Sequence, residues 1–361
     1  MATHQVLTAA GVIRLSRLNF VCIVATCRLS VVPLDARLGL EGYVSPSARQ
    51  LLCLAGSSWS FDNAQSHLKS FAGLEASDEL IRQVTQGESP KMQAYLETAP
   101  ESANAFREAV GELEFEVDAT KVNTVEGWRD LKIALYSKRE RGATATSAEW
   151  ATRQLPSPTA RWALAGIEES ESFATRWPTV ARHLGFDAAT AKLSALGDGA
   201  AWIWNRIGEE FPEAEHVLDV YHAIEHVADA TKQYLGEGTT AQREQLDRGR
   251  ECLLADGHEG IVEWLGEVSQ LPASARGNGA AWGNMLNYLT EHRGRLKYAQ
   301  RLHRGQSIGS GMVEGAAKNL IGRRLKANNA RWLVNNLNAM CTPCCCLYSV
   351  AWNNYWETLC Y

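Results

Sequence analysis

Three acidic residues stand where their type and spacing could support chemistry: Asp118, Asp198 and Glu314. Asp118 closes the run Glu112-Leu-Glu-Phe-Glu-Val-Asp118, whose polar and apolar residues alternate with the period of a β-strand. Asp198 lies inside Gly197-Asp-Gly199, directly after a short apolar segment over 191–196 that reads as another strand. Glu314 follows Ser307-Ile-Gly-Ser-Gly-Met-Val313, where glycines let the backbone turn tightly and approach a ligand. Carboxylates gathered at one point raise one another's pKa. A hard divalent cation, Mg²⁺ or Mn²⁺, relieves that repulsion because it takes oxygen ligands and keeps exchangeable waters. Two such ions can flank a phosphate, one beside the attacking oxygen and one beside the leaving oxygen. Singly, each residue has an ordinary explanation. Asp118 reads as a strand-end residue, Asp198-Gly199 as a turn dipeptide, and Glu314 as an acid favoured by a helix N-terminus. Their joint placement, on two strand ends and one helix, is what points to a metal centre.

Near these acids lies Asp219-Val-Tyr-His222, expected at the end of a strand over 216–221. An Asp-x-x-His pair can support a metal site through its ligands or hold a nucleic-acid backbone; a plain strand-to-helix junction is the alternative. His226 shares a helix face with His222, but no Glu follows His222 in the metalloprotease manner, so zinc is not expected there. Cys22 and Cys27 make at most half of a zinc knuckle, with no second pair nearby; free thiols are the expected reading.

The elements that must position these residues follow from hydrophobic period. Residues 45–90 read as three short helices, opened by Ser45-Pro46, by Ser60 or Asp62, and by Ser77 or Asp78. Their spacing is that of a helix-turn-helix or any small helical bundle. Strands are expected over 112–118, 128–136, 161–167, 191–196 and 216–221, with helices over 170–184, 200–210 and 222–234. Three meandering strands followed by crossovers give an α/β fold, a ribonuclease H-like core with a mixed five-stranded sheet. Residues 238–300 read as a helical insertion with glycine-rich breaks near 275–283, followed by a helix over 310–328 and a last helical stretch over 330–358. The expected organisation is a cysteine-containing remnant (1–44), a helical DNA-binding region (45–105), the first part of the core (106–237), the insertion (238–305) and the C-terminal helices of the core (306–361).

Composition bounds the partners. The 361 residues are 45% hydrophobic and 21% charged, which is ordinary for a soluble domain. No apolar run is long enough to span a membrane, and Arg14, Arg17 and Arg28 break any signal-peptide pattern. A reducing cytoplasm is therefore the expected compartment. The net charge is −5, yet 292–331 alone carries +9 and the remainder −14. Such asymmetry suits phosphate contact, with Arg304, Lys318, Arg323, Arg324, Lys326 and Arg331 as the candidate DNA-binding residues. A solvated basic face is the plainer alternative.

Taken together, the most specific segments resemble a known family. They are Asp198-Gly-Ala-Ala-Trp-Ile-Trp204, Leu218-Asp-Val-Tyr-His-Ala-Ile-Glu-His226, Gly309-Ser-Gly-Met-Val-Glu-Gly315, Arg324-Leu-Lys, Arg331-Trp332 and Trp352-Asn-Asn-Tyr-Trp356. Over roughly 10–358 the chain resembles bacterial insertion-sequence DDE transposases of the Kra type, distant relatives of Mutator-like transposases. The resemblance implies that Asp118, Asp198 and Glu314 are the catalytic and metal-binding triad, with Asp219 and His222 in support. It implies two Mg²⁺ or Mn²⁺ ions, DNA as partner, a homo-oligomer on DNA and a nucleoid-associated cytoplasmic location. The implied reaction is hydrolysis at a transposon end to free a 3′-hydroxyl, then attack of that hydroxyl on target DNA. The chain departs from the family in three places. The N-terminal cysteine pairs are reduced to Cys22 and Cys27, so the chain is expected to be truncated at its N-terminus. Asn328-Asn329 stands where glycine is usual, and Cys341 and Cys344-Cys-Cys346 are extra. Two rival functions are a nuclease that cuts without joining, and a truncated copy or domesticated regulator that binds DNA without catalysis.

Overall fold

The computed structural model describes residues 2–359 apart from 25, 28 and 271–278; Arg28 and part of the expected glycine-rich break near 275–283 lie outside the described residues. The first 44 residues, unreadable by period, form strands β1 (Ala2–Thr8) and β2 (Gly11–Arg17), a minimal hairpin of β3 (Phe20–Val21) and β4 (Ser30–Val31), and a short helix, Pro33–Arg37.

The three N-terminal helices form as their caps dictate. Ser45 Oγ accepts from the Ala48 amide, Ser60 Oγ from Asn63 and Ser77 Oγ from Leu80, opening helices Pro46–Ser58, Phe61–Ala72 and Asp78–Thr98. Each such cap contributes about 1 kcal/mol. The third helix is longer than expected, continuing through Pro90 to Thr98. Its buried Met92 and Tyr95 belong to the same core as Phe115, Tyr136 and Trp162 of the sheet, and that packing offsets the backbone hydrogen bond that proline cannot make. The helical N-terminal region is thus packed onto the sheet domain through a shared core.

The central sheet contains β5 (Glu112–Thr124), β6 (Gly127–Arg139), β7 (Ala160–Gly166), β8 (Ser194–Gly197) and β9 (Glu215–Leu218), in the order β7-β6-β5-β8-β9. The first three strands run antiparallel, whereas β8 and β9 join parallel to β5. This is a mixed α/β fold with a five-stranded mixed sheet. On one face Phe115, Tyr136 and Trp162 meet Trp177 and Phe211 from the flanking helices. On the other, Val122, Ile133 and Leu135 pack on Val313, Leu320 and the helix Val334–Tyr348.

The insertion is helical: Thr240–Val268 and Ala280–Glu291 pack against the helix Val220–Leu235. Beyond it, the expected single helix over 310–328 is broken into Gly311–Ala316, a π-helical segment Ala317–Gly322, Arg323–Leu325 and a 3₁₀ turn Ala327–Asn329. The last helical stretch is likewise two helices, Val334–Tyr348 and Trp352–Thr358. Among the described residues no helix is long and apolar enough to cross a membrane.

Candidate active site

β5 carries Glu112, Glu114, Glu116 and Asp118 on one face, while Phe115 and Val117 are fully buried on the other. The last registered pair between β5 and β8 is Val117 with Gly197. Asp118 and Asp198 are therefore the next residues along neighbouring parallel strands, side by side where that pairing stops. Asp198 follows the end of β8, but Asp118, expected at a strand end, lies within β5, which runs on to Thr124 paired with β6. Asp118 Oδ1 accepts from the Ala119 amide at 2.6 Å, and Asp198 Oδ1 from the Ala200 amide at 2.8 Å. Among the described residues neither Oδ2 has a hydrogen-bond partner.

Glu314 sits in Gly311–Ala316. That helix is docked on the acidic face of β5, because the Val313 amide donates to Glu116 Oε2 at 2.7 Å and the Val313 side chain is buried against Val122 and Ile133. The residue beside Glu314 thus bonds the strand two positions before Asp118. Burial pushes the Asp118 carboxyl above its ordinary value; the charges of Asp198 and Glu314 push the same way, while the Ala119 amide and His222 oppose them. Glu116 is pushed up strongly, first by burial and then by Glu114.

Asp219 differs from the expectation. It is not a strand residue but the N-cap of Val220–Leu235. Its carboxylate is fully engaged: Oδ1 accepts from the Tyr221 and His222 amides at 2.7 and 3.0 Å, and Oδ2 from the Ser310 amide and hydroxyl. A Cβ on Gly309 would come within 3.2 Å of that Oδ2. Asp219 therefore ties the end of β9 to the loop that delivers Glu314, and its oxygens are spent on that task. His222 is half-buried, with Nδ1 3.1 Å from Glu225 Oε2. His226 stacks on Tyr288 with centroids 3.6 Å apart.

The basic segment does not form one face. Lys318, Arg323, Lys326 and Arg331 are exposed, and Lys326 Nζ donates to Thr120 Oγ1, two residues beyond Asp118. Arg304 is also exposed but lies 3.9 Å from Glu215 at the start of β9, at the opposite end of the sheet from Asp118. Arg324 is only 3% exposed. Its Nε donates to the Gly56 carbonyl, and its guanidinium lies over Phe61 and Trp332. The expectation that Arg324 faces DNA is corrected: counting charge along the chain cannot register that a side chain points into a core. Cys341, Cys344, Cys345 and Cys346 are likewise buried, with thiols raised by burial.

Among the described residues no three His, Cys, Asp or Glu side chains form a preformed metal cage. The donor chemistry nonetheless fits a hard cation: neighbouring carboxylates on β5 and just past β8, each with one uncommitted oxygen. Mg²⁺ is commonly held by one or two carboxylates, with waters and substrate phosphate filling the remaining positions. Two contributors escaped the sequence. Glu116 was visible in the alternation but not as the dock for Val313; Tyr288, which lies against Gly199, carried no signal in its local pattern. No family model matches the sequence, and no curated protein matches it.

Proposed function

We propose that this chain is a DDE-type DNA transposase, resembling the Kra-type insertion-sequence enzymes, that cuts DNA ends and joins the freed 3′-hydroxyl to target DNA. The observation that carries the reading is the side-by-side placement of Asp118 and Asp198 where the parallel pairing of β5 with β8 stops, with the Glu314 helix bonded to the same face of β5. The sheet order, a three-strand meander extended by two parallel crossovers, supports a ribonuclease H-like core.

On this reading Asp118 and Asp198 hold divalent cations, with Glu314 completing the set. Bound Mg²⁺ or Mn²⁺ would activate the attacking oxygen and stabilise the leaving one. The chain itself supplies position. The Ala119 and Ala200 amides fix one oxygen of each aspartate, and Asp219 fixes the approach of the Glu314 segment. Lys318, Arg323, Lys326 and Arg331 offer phosphate contacts beside that end, and an in-line displacement depends above all on such positioning. DNA as partner, a homo-oligomer on DNA and residence at the nucleoid belong to the same proposal.

The test is Mg²⁺-dependent nicking of DNA bearing the element's end. Glu314→Gln keeps the side-chain shape and removes the charge, so nicking and joining should be lost while end binding persists. Substantial residual nicking by the variant would remove Glu314 from the site. A strand-joining assay separates a transposase from a nuclease that only cuts. One observation favours the non-catalytic rival, a DNA-binding protein: among the described residues the carboxylates are not gathered into a preformed cage. Metal-dependent nicking by the wild type would dismiss it.

A further inference from the structure

We propose that Tyr288 is a positioning residue that holds the Asp198 turn, so that the insertion helix Ala280–Glu291 sets the affinity of the acidic end for a divalent cation. The inference rests on reading that end as a metal centre.

β8 stops at Gly197, and Asp198-Gly199-Ala200 leaves the strand with one local side-chain bond, Ala200 amide to Asp198 Oδ1. A glycine at the middle of such a turn leaves it many conformations, so something outside the turn must select one. Tyr288 occupies the space where a Gly199 side chain would stand: a Cβ there would come within 2.6 Å of Tyr288 Cζ. The ring is itself fixed, stacked on His226 with centroids 3.6 Å apart and planes at 20°, and meeting His292 edge-on at 4.7 Å.

A second brace comes from the same region. Trp204 Nε1 donates to the Asp198 carbonyl at 2.7 Å, and the Arg295 guanidinium, just beyond the insertion helix, lies 4.3 Å over the Trp204 ring. Both restraints on the turn are thus delivered or backed by residues 288–295, about ninety positions along the chain from Asp198. The Tyr288 contact is made by ring carbons as well as the hydroxyl, and among the described residues no hydrogen bond is made by the Tyr288 hydroxyl. The ring, not the hydroxyl, is therefore the working part. A cation held by Asp118 and Asp198 would need both carboxylates aimed at once. Residues that orient ligands without touching the metal typically govern its affinity about 10- to 100-fold.

The experiment is titration of the full-length, DNA-free chain with Mn²⁺, read by the electron paramagnetic resonance of free Mn²⁺, alongside nicking measured against Mg²⁺ concentration. Tyr288→Ala should weaken Mn²⁺ binding about tenfold and shift the Mg²⁺ requirement equally, with DNA binding unchanged. Tyr288→Phe should match the wild type. Gly199→Ala should weaken Mn²⁺ binding because its methyl displaces the ring, and adding it to Tyr288→Ala should cost little more, since the ring is already gone. Thermal melting identifies any variant that fails to fold; Tyr288→Leu, which keeps most of the volume, then takes the place of Tyr288→Ala. Wild-type Mn²⁺ affinity in folded Tyr288→Ala or Tyr288→Leu, or strict additivity in the double variant, overturns the proposal. The parent reading has a separate control in Asp198→Asn. If the wild type binds Mn²⁺ and Asp198→Asn does not, the metal centre stands whatever Tyr288 does. If the wild type binds none, both readings fall together.

Discussion

The two ends of the sheet treat their acids in opposite ways. At the end where β5, β8 and β9 begin, Glu112, Glu114 and Glu215 each have a cation. Glu112 pairs with Arg141, Glu114 with Arg139 at 3.0 Å, and Glu215 with the buried Arg301 at 2.6 Å. Where the parallel pairing of β5 with β8 stops, Asp118, Asp198 and Glu314 have no Lys or Arg within ion-pair reach among the described residues. Buried charge is costly unless paired, so the first end is neutralised by the chain itself. The second leaves its repulsion in place, which adds to burial in raising the Asp118 carboxyl. On the proposed function, the unanswered end is the one that would take its positive charge from outside.

The largest effect that would break this contrast is at the unpaired end. Asp198→Asn should lower Mg²⁺-dependent nicking by at least about 10³-fold, some 4 kcal/mol of transition-state stabilisation, and should leave the melting temperature of the metal-free chain equal or higher. A marked drop in melting temperature would mean that Asp198 holds the fold, not a cation. At the paired end the signs reverse. Glu114→Ala strands Arg139, whose side chain is 10% exposed, and should cost about 3–5 kcal/mol in denaturant unfolding. Little loss there would show that the pairing is incidental.

The same logic sorts the cations. Arg324→Ala removes a buried guanidinium seated on Gly56, Phe61 and Trp332, and should destabilise by about 2–3 kcal/mol without altering the salt dependence of DNA binding. Arg323→Ala should do the reverse, holding stability within about 0.5 kcal/mol and lowering the salt slope by about 1. Equal salt slopes in the two variants would defeat the assignment. The smallest effect concerns pH. Burial raises the Glu112 carboxyl, but its bonds to Arg141 and Gln306 outweigh that and hold it below its ordinary 4.5. A depressed acid contributes stability above its unfolded pKa and loses it as pH falls through the folded one. Urea midpoints between pH 7 and pH 3 should therefore fall more steeply for wild type than for Glu112→Gln; parallel curves would count against the pairing.

Much of the sheet could be read in advance because alternation is a local property. Glu112 to Asp118 announces both the strand and the face on which Asp118 lies, and Gly197-Asp-Gly199 announces a strand end. Helix caps were legible for the same reason, and the structure chooses Ser60 over Asp62 and Ser77 over Asp78. What was hidden depends on contacts remote in sequence. Asp219 looks like the tail of a strand until Ser310 arrives to claim its second oxygen. Arg324 looks like its basic neighbours until Phe61 and Trp332 enclose it. Tyr288 is one aromatic in an amphipathic helix, and only the missing side chain at Gly199 gives it a place.

The parallel pairing of β5 with β8 has a consequence for how the chain is made. Glu114 pairs with Ser194, and Val313 must come back to Glu116, so contacts at this end close loops of roughly 80 and 200 residues. Non-local pairings of this kind form late, after the hairpin of β5 and β6. A chain emerging from the ribosome would therefore hold Asp118 on a finished hairpin, Asp198 on an unattached segment, and no Glu314 until the final stretch was synthesised. The full set of acids can exist only once the chain has been made past Glu314, long after Asp118 and Asp198.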